Sequence, residues 1–171
     1  MTRTDIPPIV LRGCETLAVR PIEPDDVARL ERMFFRLSPT TVYRRFFSPI
    51  HEPPPRMLRW LTEVDHDRRE ALVALDGDEV VAVARYDGRP GATDAEIAVT
   101  VEDAWQHRGV GKRLARRLAA RALDHGFERF IATMLPDNRE AVGLLRRLSS
   151  DATVRFEDGA YAAVAPLSRA S

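Results

Sequence analysis

Ala95-Glu96-Ile97-Ala98-Val99-Thr100-Val101 and, four residues on, Gln106-His107-Arg108-Gly109-Val110-Gly111-Lys112 decide how this chain folds. The first stretch alternates as a strand does: Glu96, Ala98 and Thr100 share one face, and Ile97, Val99 and Val101 the other. The second opens a helix expected from Gly109 to about His125, with Val110, Leu114, Leu118 and Ala122 recurring at helical spacing. A glycine-spaced turn between strand and helix aims the backbone N–H groups of residues 107–112 at one point. The partial positive charge of the helix start adds to them. Gly109 and Gly111 carry no Cβ, so the oxygens of a pyrophosphate can approach the backbone closely. Arg108 and Lys112 bring positive charge to the same place. The pattern Q-x-x-G-x-G is neither the dinucleotide fingerprint nor a phosphate loop ending in G-K-[ST]. A simple tight turn requires no paired glycines with flanking cations.

Working outward, Gly126 is placed to end the long helix. Phe130 to Met134 reads as the next strand, and Pro136-Asp137-Asn138 leads a helix with Val142, Leu145 and Leu148 on one face. Ala152 to Phe156 and Tyr161 to Ala165 form a closing hairpin around Asp158-Gly159. Upstream, Ala71 to Leu75 is an apolar run typical of a buried strand. Asp76-Gly77-Asp78 turns it into a partner strand from Glu79 to Tyr86, and Asp87 to Thr93 is a Gly/Pro loop. Leu17-Ala18-Val19-Arg20 is a short strand. Pro24 opens a helix with Asp25 and Asp26 in its first turn, where acids suit the dipole. Ser38-Pro39 is a second helix start, and a proline-rich break from Pro49 to Pro55 precedes a short helix from Met57 to Leu61. Residues 1 to about 15 read as a loose lead-in, with one domain over 16–171. The order β-α-α-α-β-β-β-α-β-α-β-β predicts an α/β fold with a mixed, mostly antiparallel sheet covered by helices.

Composition sets the remaining bounds. At 171 residues with 44% hydrophobic content, one domain with a real core is expected. A formal net charge of +0 argues against a nucleic-acid partner. No stretch approaches the ~18 apolar residues of a membrane span, and Pro7, Pro8 and Arg12 interrupt the N-terminal apolar run, so a cytoplasmic location is expected. Cys14 is the sole cysteine, which leaves no disulfide framework and no cysteine metal site. Asp65-His66-Asp67 lacks a second ligand cluster and reads as a polar loop, so no metal is expected. Lys112 is the only lysine, in line with a preference for Arg throughout the chain. Arg113, Arg116, Arg117 and Arg121 read as the solvated face of the long helix.

The element order and the loop together resemble the GNAT superfamily of N-acetyltransferases, over roughly residues 16–165. Glu96 to Asn138 match best. Ser38-Pro39-Thr40-Thr41-Val42-Tyr43-Arg44-Arg45-Phe46-Phe47-Ser48 narrows the resemblance, as does Leu61-Thr62-Glu63-Val64-Asp65-His66-Asp67 leading into Ala71 to Leu75. Both are similar to the acetyltransferase module of bacterial protein lysine acetyltransferases of the Pat type. Those enzymes often carry the module beside a cyclic-nucleotide-binding or acyl-CoA-synthetase-like domain, for which a chain of this length has no room.

The resemblance implies an acetyl-CoA donor. Gln106, His107, Arg108, Gly109, Val110, Gly111 and Lys112 would hold its pyrophosphate. Val99, Thr100 and Val101 would pair with the pantetheine arm where this strand splays from the next. Asn138 matches an Asn that contacts the same arm, although the preceding Pro136-Asp137 also suits a plain helix cap. Glu96 matches the usual position of the general base. Arg44, Phe46 and Phe47 would border the acceptor groove. There are two departures: many relatives place a Tyr as general acid where this chain has Leu145, and the Gly common after this helix is replaced by Ser149-Ser150. The implied function is transfer of an acetyl group to an amine, by direct attack and with no covalent enzyme intermediate. A protein lysine is the first acceptor to consider. A small amine is the second, and a non-catalytic acyl-CoA sensor is the rival from another class.

Overall fold

Strand-forming and helix-forming segments alternate much as expected, and a computed structural model describes residues 6–168. The strands are β1 (Ile9–Val10), β2 (Thr16–Pro21), β3 (Arg69–Asp76), β4 (Glu79–Gly88), β5 (Asp94–Val101), β6 (Arg129–Met134), β7 (Thr153–Glu157) and β8 (Ala160–Pro166). They form one sheet in the order β1-β2-β3-β4-β5-β6-β8-β7. Every neighbouring pair is antiparallel except β5 with β6. The helices are α1 (Val27–Arg36), α2 (Pro39–Phe46), α3 (Pro55–Thr62), α4 (Val110–Asp124) and α5 (Arg139–Leu148).

The sheet has a core on each side, which explains why β3 and β4 are continuous apolar runs rather than alternating ones. Leu72, Ala74, Val81, Ala82 and Ala84 join the α4 stripe of Val110, Leu114, Leu118 and Ala122 on one side. Ala71, Val73, Leu75, Val80 and Val83 meet Ile22 and Met33 on the other. Leu114 and Leu118 are wholly buried, so truncating either to Ala would cost about 2–5 kcal/mol.

Three expectations are modified. The lead-in is partly built into the fold: Ile9 and Val10 pair with Leu17 and Thr16, and Ile9 and Leu11 are buried in the core. The loop expected from Asp87 starts two residues later, because β4 pairs with β5 as far as Gly88. The expected first-turn acids of α1 lie instead in a short 3-10 turn over Pro24–Asp26, and Asp26 is buried. Its carboxylate takes two hydrogen bonds from Arg20 of β2, both at 2.7 Å, which a helix-dipole reading did not anticipate.

The arginine stripe of α4 is also less solvated than its spacing suggested. Arg121 Nε donates to the fully buried Glu70 at 2.7 Å, and Arg117 donates to the backbone oxygens of Pro7 and Pro8. These contacts fasten the outer side of α4 to β3 and to the chain before β1. Arg116 alone of the four is exposed.

Candidate active site

The loop before α4 has the backbone its glycines predict. Gly109 caps the helix at φ 79°, in the left-handed region, and His107 sits there too at φ 59°. No side chain caps this helix start. The first intrahelical bond runs from Arg113 N–H to the Gly109 oxygen at 3.2 Å, so the amides of Val110, Gly111 and Lys112 have no acceptor within the helix. They form an open, electropositive end suited to an anion.

Gly111 has a different task from Gly109. A Cβ there would lie 3.3 Å from Val101 Cγ2 and 3.6 Å from Val99 Cγ1. The second glycine therefore lets α4 lie directly against β5. Gln106 pins the loop to the same strand: its Nε2 donates to the Val101 oxygen at 3.0 Å and to Thr41 Oγ1 at 3.3 Å. Thr41 in turn belongs to a network at the start of α2. Ser38 caps α2 by accepting from Thr41 N–H at 3.2 Å, and Asp103 accepts from Ser38 Oγ and Thr41 Oγ1 at 2.6 and 3.0 Å. These hydroxyl and backbone donors hold the Asp103 carboxyl below its ordinary range against the opposing effect of burial. The start of α2, the end of β5 and the glycine loop thus form one hydrogen-bonded unit.

The cations flanking the loop differ. Arg108 stacks over Trp105, 4.5 Å from the ring centroid, and ion-pairs with Glu15. Lys112 makes no ion pair among the described residues. Arg113 Nη1 donates to the oxygens of Arg108 and Gly109 at 3.4 and 3.3 Å and braces the turn.

The splay lies beside this loop. β5 and β6 pair in parallel at Asp94, Ala95 and Glu96, opposite Arg129, Phe130 and Ile131. From Ile97 onward β5 keeps only β4, while β6 goes on pairing with β8 to Met134. Val99, Thr100 and Val101 therefore lie on a strand edge with no partner in β6. Ile97, Val99 and Val101 turn toward the α4 core, and Ala98 and Thr100 line a groove on the opposite side, under α1 to α3.

Glu96 is exposed, at the last paired position before the splay. With Ala98 it lines a groove of about 320 Å³ together with Arg45, Phe46, Met57, Trp60, Arg85 and Asp87. Phe46 fills the α2 side of this groove and packs on Phe34, ring centroids 6.1 Å apart. Phe47, the left-handed cap of α2, is 45% exposed and absent from the groove lining. Arg44 does not reach the groove either. It ion-pairs with Asp137 at 3.2 Å and Glu140 at 3.3 Å, and so ties α2 to the start of α5. Asn138 caps α5, its Oδ1 accepting from Ala141 N–H at 3.2 Å. Leu145 is buried in the α4 core.

Sequence reasoning missed the charged wall of the groove. Arg85 is 4% exposed, and burial draws its guanidinium down to about 10. It donates to the Leu61 oxygen at 3.3 Å and to Asp87 at 3.4 Å, while its Nε has no partner. Trp60 takes the guanidinium groups of Arg69 and Arg85 at 4.3 and 4.8 Å from its ring centroid. Arg69 also donates to Asp87 at 2.8 Å. Burial draws Arg45 down as well, and the carboxylates of Glu96 and Asp87 oppose that shift. An arginine inside an apolar β4 run was the signal available for Arg85; nothing local marked Arg45 as different from Arg44.

Comparison with known proteins agrees with this geometry. The family model described as Acetyltransferase (GNAT) family matches residues 31–149. The chain is 37% identical over 147 residues to Acetyltransferase Pat of Mycolicibacterium smegmatis, covering 84% of this chain and 44% of that protein. It is 33% identical over 125 residues to Acetyltransferase PA5475 of Pseudomonas aeruginosa, covering 71% of this chain and 67% of the relative. The crystal structure of the GNAT domain of S. lividans PAT superposes with a TM-score of 0.87 at 33% identity, over 94% of this chain and 96% of that one. The chain thus spans less than half the length of the mycobacterial Pat protein and nearly all of an isolated GNAT domain. With the family model spanning the glycine loop, β5 and the start of α4, the chain belongs to the Acetyltransferase (GNAT) family.

Proposed function

We propose that this GNAT-family chain transfers an acetyl group from acetyl-CoA to protein lysine side chains, with Glu96 as general base. The observation that carries the reading is the position of Glu96: an exposed carboxylate lining an open groove at the last residue before β5 and β6 diverge. The resemblance of residues 38–48 and 61–75 to Pat-type protein lysine acetyltransferases supports the acceptor class, and the chain is 37% identical to Acetyltransferase Pat over 84% of its length.

The residues of the cleft fit the donor. Three free amides at the start of α4 suit a pyrophosphate, and the unpartnered edge of β5 at Val99, Thr100 and Val101 suits a peptide-like pantetheine arm. Bound there, the donor supplies a thioester whose carbonyl accepts the amine. Glu96 then has a quantifiable task. A lysine amine with pKa about 10.4 is only ~0.04% neutral at pH 7, a deficit of about 4.6 kcal/mol. The Glu96 carboxylate takes that proton directly or through one water. Leu145 is apolar and offers no proton to the leaving thiolate. A thiol pKa of about 8.5 lets the thiolate depart without strong acid help.

A groove open to solvent admits a lysine attached to a backbone, whereas a small-amine enzyme closes over its substrate. The test is transfer of label from acetyl-CoA into a whole-cell lysate, run beside free lysine and polyamines. Labelled lysines in proteins, formed faster than acetylated small amines, are the expected result. Acetylated small amines with no labelled protein would overturn the reading. A cytoplasmic site of action is part of the proposal; among the described residues no helix is long and apolar enough to cross a membrane.

A further inference from the structure

We propose that the groove reads a carboxylate beside the reacting amine: the favoured acceptor is a lysine with an acidic neighbour, engaged by Arg45 with Arg85 behind it. This rests on the protein-lysine reading above and specifies the context of the lysine.

The argument begins with the charges that line the groove. Two are positive, Arg45 and Arg85, and two are negative, Asp87 and Glu96. Asp87 is already used: Arg69 reaches one carboxylate oxygen at 2.8 Å and Arg85 the other at 3.4 Å. Glu96 and Arg45 are not used in this way. Among the described residues neither side chain makes a hydrogen bond or an ion pair; the Arg45 guanidinium lies over the ring of Phe46, at 4.9 Å from its centroid, and feels Glu96 and Asp87 only through space. One free carboxylate and one free guanidinium therefore face the same groove without closing on each other.

That arrangement is costly unless something completes it. A guanidinium cannot shed its proton at any ordinary pH, so withdrawing it from water without a partner carries a penalty. Arg45 is half-buried, with Phe46, Met57 and Leu61 sharing its wall. Arg85 deepens the same demand. It is 4% exposed, its Nε has no partner, and it adds positive potential behind Arg45. A guanidinium fork matches a carboxylate in two parallel hydrogen bonds, in a way a lysine ammonium cannot.

The complementary ligand carries both groups: an amine for Glu96 and a carboxylate for Arg45. An aspartate or glutamate next to the target lysine supplies that pair. A free α-amino acid presents the same chemistry in smaller form, and the test separates the two. A basic neighbour meets like charge from Arg45 and Arg85 and is disfavoured.

The experiment uses the full chain with acetyl-CoA and three peptides, each with one lysine flanked by Asp, Asn or Arg. Free aspartate and free glycine form a fourth arm. The Asp peptide should exceed the Asn peptide by about tenfold to a hundredfold in kcat/KM, mostly through KM, which is the scale of one charge-assisted hydrogen bond. The Arg peptide should be poorest. Arg45→Met should bring the Asp and Asn peptides together, while Arg45→Lys should keep part of the preference. Equal rates for all three peptides on the unmodified protein would overturn this inference and leave the lysine reading standing. Acetylation of the free amino acids with no peptide modified would overturn both.

Discussion

Glu96 and Ile131 are the last register partners of the parallel pair β5–β6, and the two strands separate immediately after them. The proposed base thus stands where the sheet opens, next to the edge along which a thioester arm would lie. Glu96→Gln preserves the shape and removes the proton acceptor. Turnover should fall by roughly 10²- to 10⁴-fold, the usual scale of general base catalysis, with donor affinity near that of the unmodified protein. Steady-state rates and calorimetry on one preparation check this. The unmodified protein's rate should also rise with pH as the acceptor amine deprotonates. Turnover within a few-fold of the unmodified protein would remove Glu96 from the mechanism.

The start of α4 offers a second test. Gly111→Asp places a Cβ 3.3 Å from Val101 Cγ2 and a carboxylate within the first turn, where it competes for the same open amides. Acetyl-CoA affinity should drop at least about tenfold, by repulsion of the pyrophosphate and by pushing α4 from β5. Circular dichroism should show a folded protein. Unchanged affinity in a folded variant would disprove the pyrophosphate assignment.

Arg44 links α2 to the start of α5 through Asp137 and Glu140; Arg44 is partly exposed and both carboxylates are exposed. Such pairs contribute little each, so Arg44→Ala should cost only about 0.5–1.5 kcal/mol of stability. Its effect on acceptor use should be indirect, a severalfold loss in kcat/KM, because α2 carries Phe46 into the groove. Thermal unfolding together with acceptor titrations would measure both.

Asp26 gives a prediction for acid stability. Hydrogen bonds from Arg20 and from the Glu23 backbone hold its carboxyl below the ordinary range, overcoming the opposite effect of burial. A carboxyl lowered in the folded state stabilises it fully above the unfolded value of about 3.9. That stabilisation is lost as pH falls through the lower native value. Asp26→Asn leaves Arg20 without its charge partner and should cost about 2–4 kcal/mol at neutral pH. It should also flatten the decline in stability below about pH 4. Urea unfolding between pH 2 and 7 measures both effects.

The parts of the site visible in the sequence are those whose chemistry is local. The glycine turn that opens α4 was legible because glycine's backbone freedom acts within a few residues, whereas the approach of Gly111 to Val99 and Val101 was not. The faces of β5 read correctly because alternation has a period of two. Asp26 was placed correctly in the first turn after Pro24, but its burial and its pairing with Arg20 were not legible, because Arg20 lies on the strand that precedes the turn. Arg44 and Arg45 are adjacent and chemically identical, yet one grips α5 and the other faces the groove beside Glu96. Their difference follows from the rotation of α2 about its own axis, and the hydrogen bonds to Asp103, sixty-odd residues away, help to set it.

By itself the sequence determined the order of the elements, the glycine loop and the carboxylate in mid-strand, because backbone preferences and hydrophobic periodicity act over one or two turns of chain. Only the tertiary structure decided that β5 and β6 part company after Glu96, since the edge depends on where a strand more than thirty residues away ceases to pair. It alone brought Arg45, Trp60, Arg85 and Glu96 to one groove. Their charges become consequential through shared burial, which depends on the packing of α2 and α3 over the sheet and which no single segment of the chain encodes.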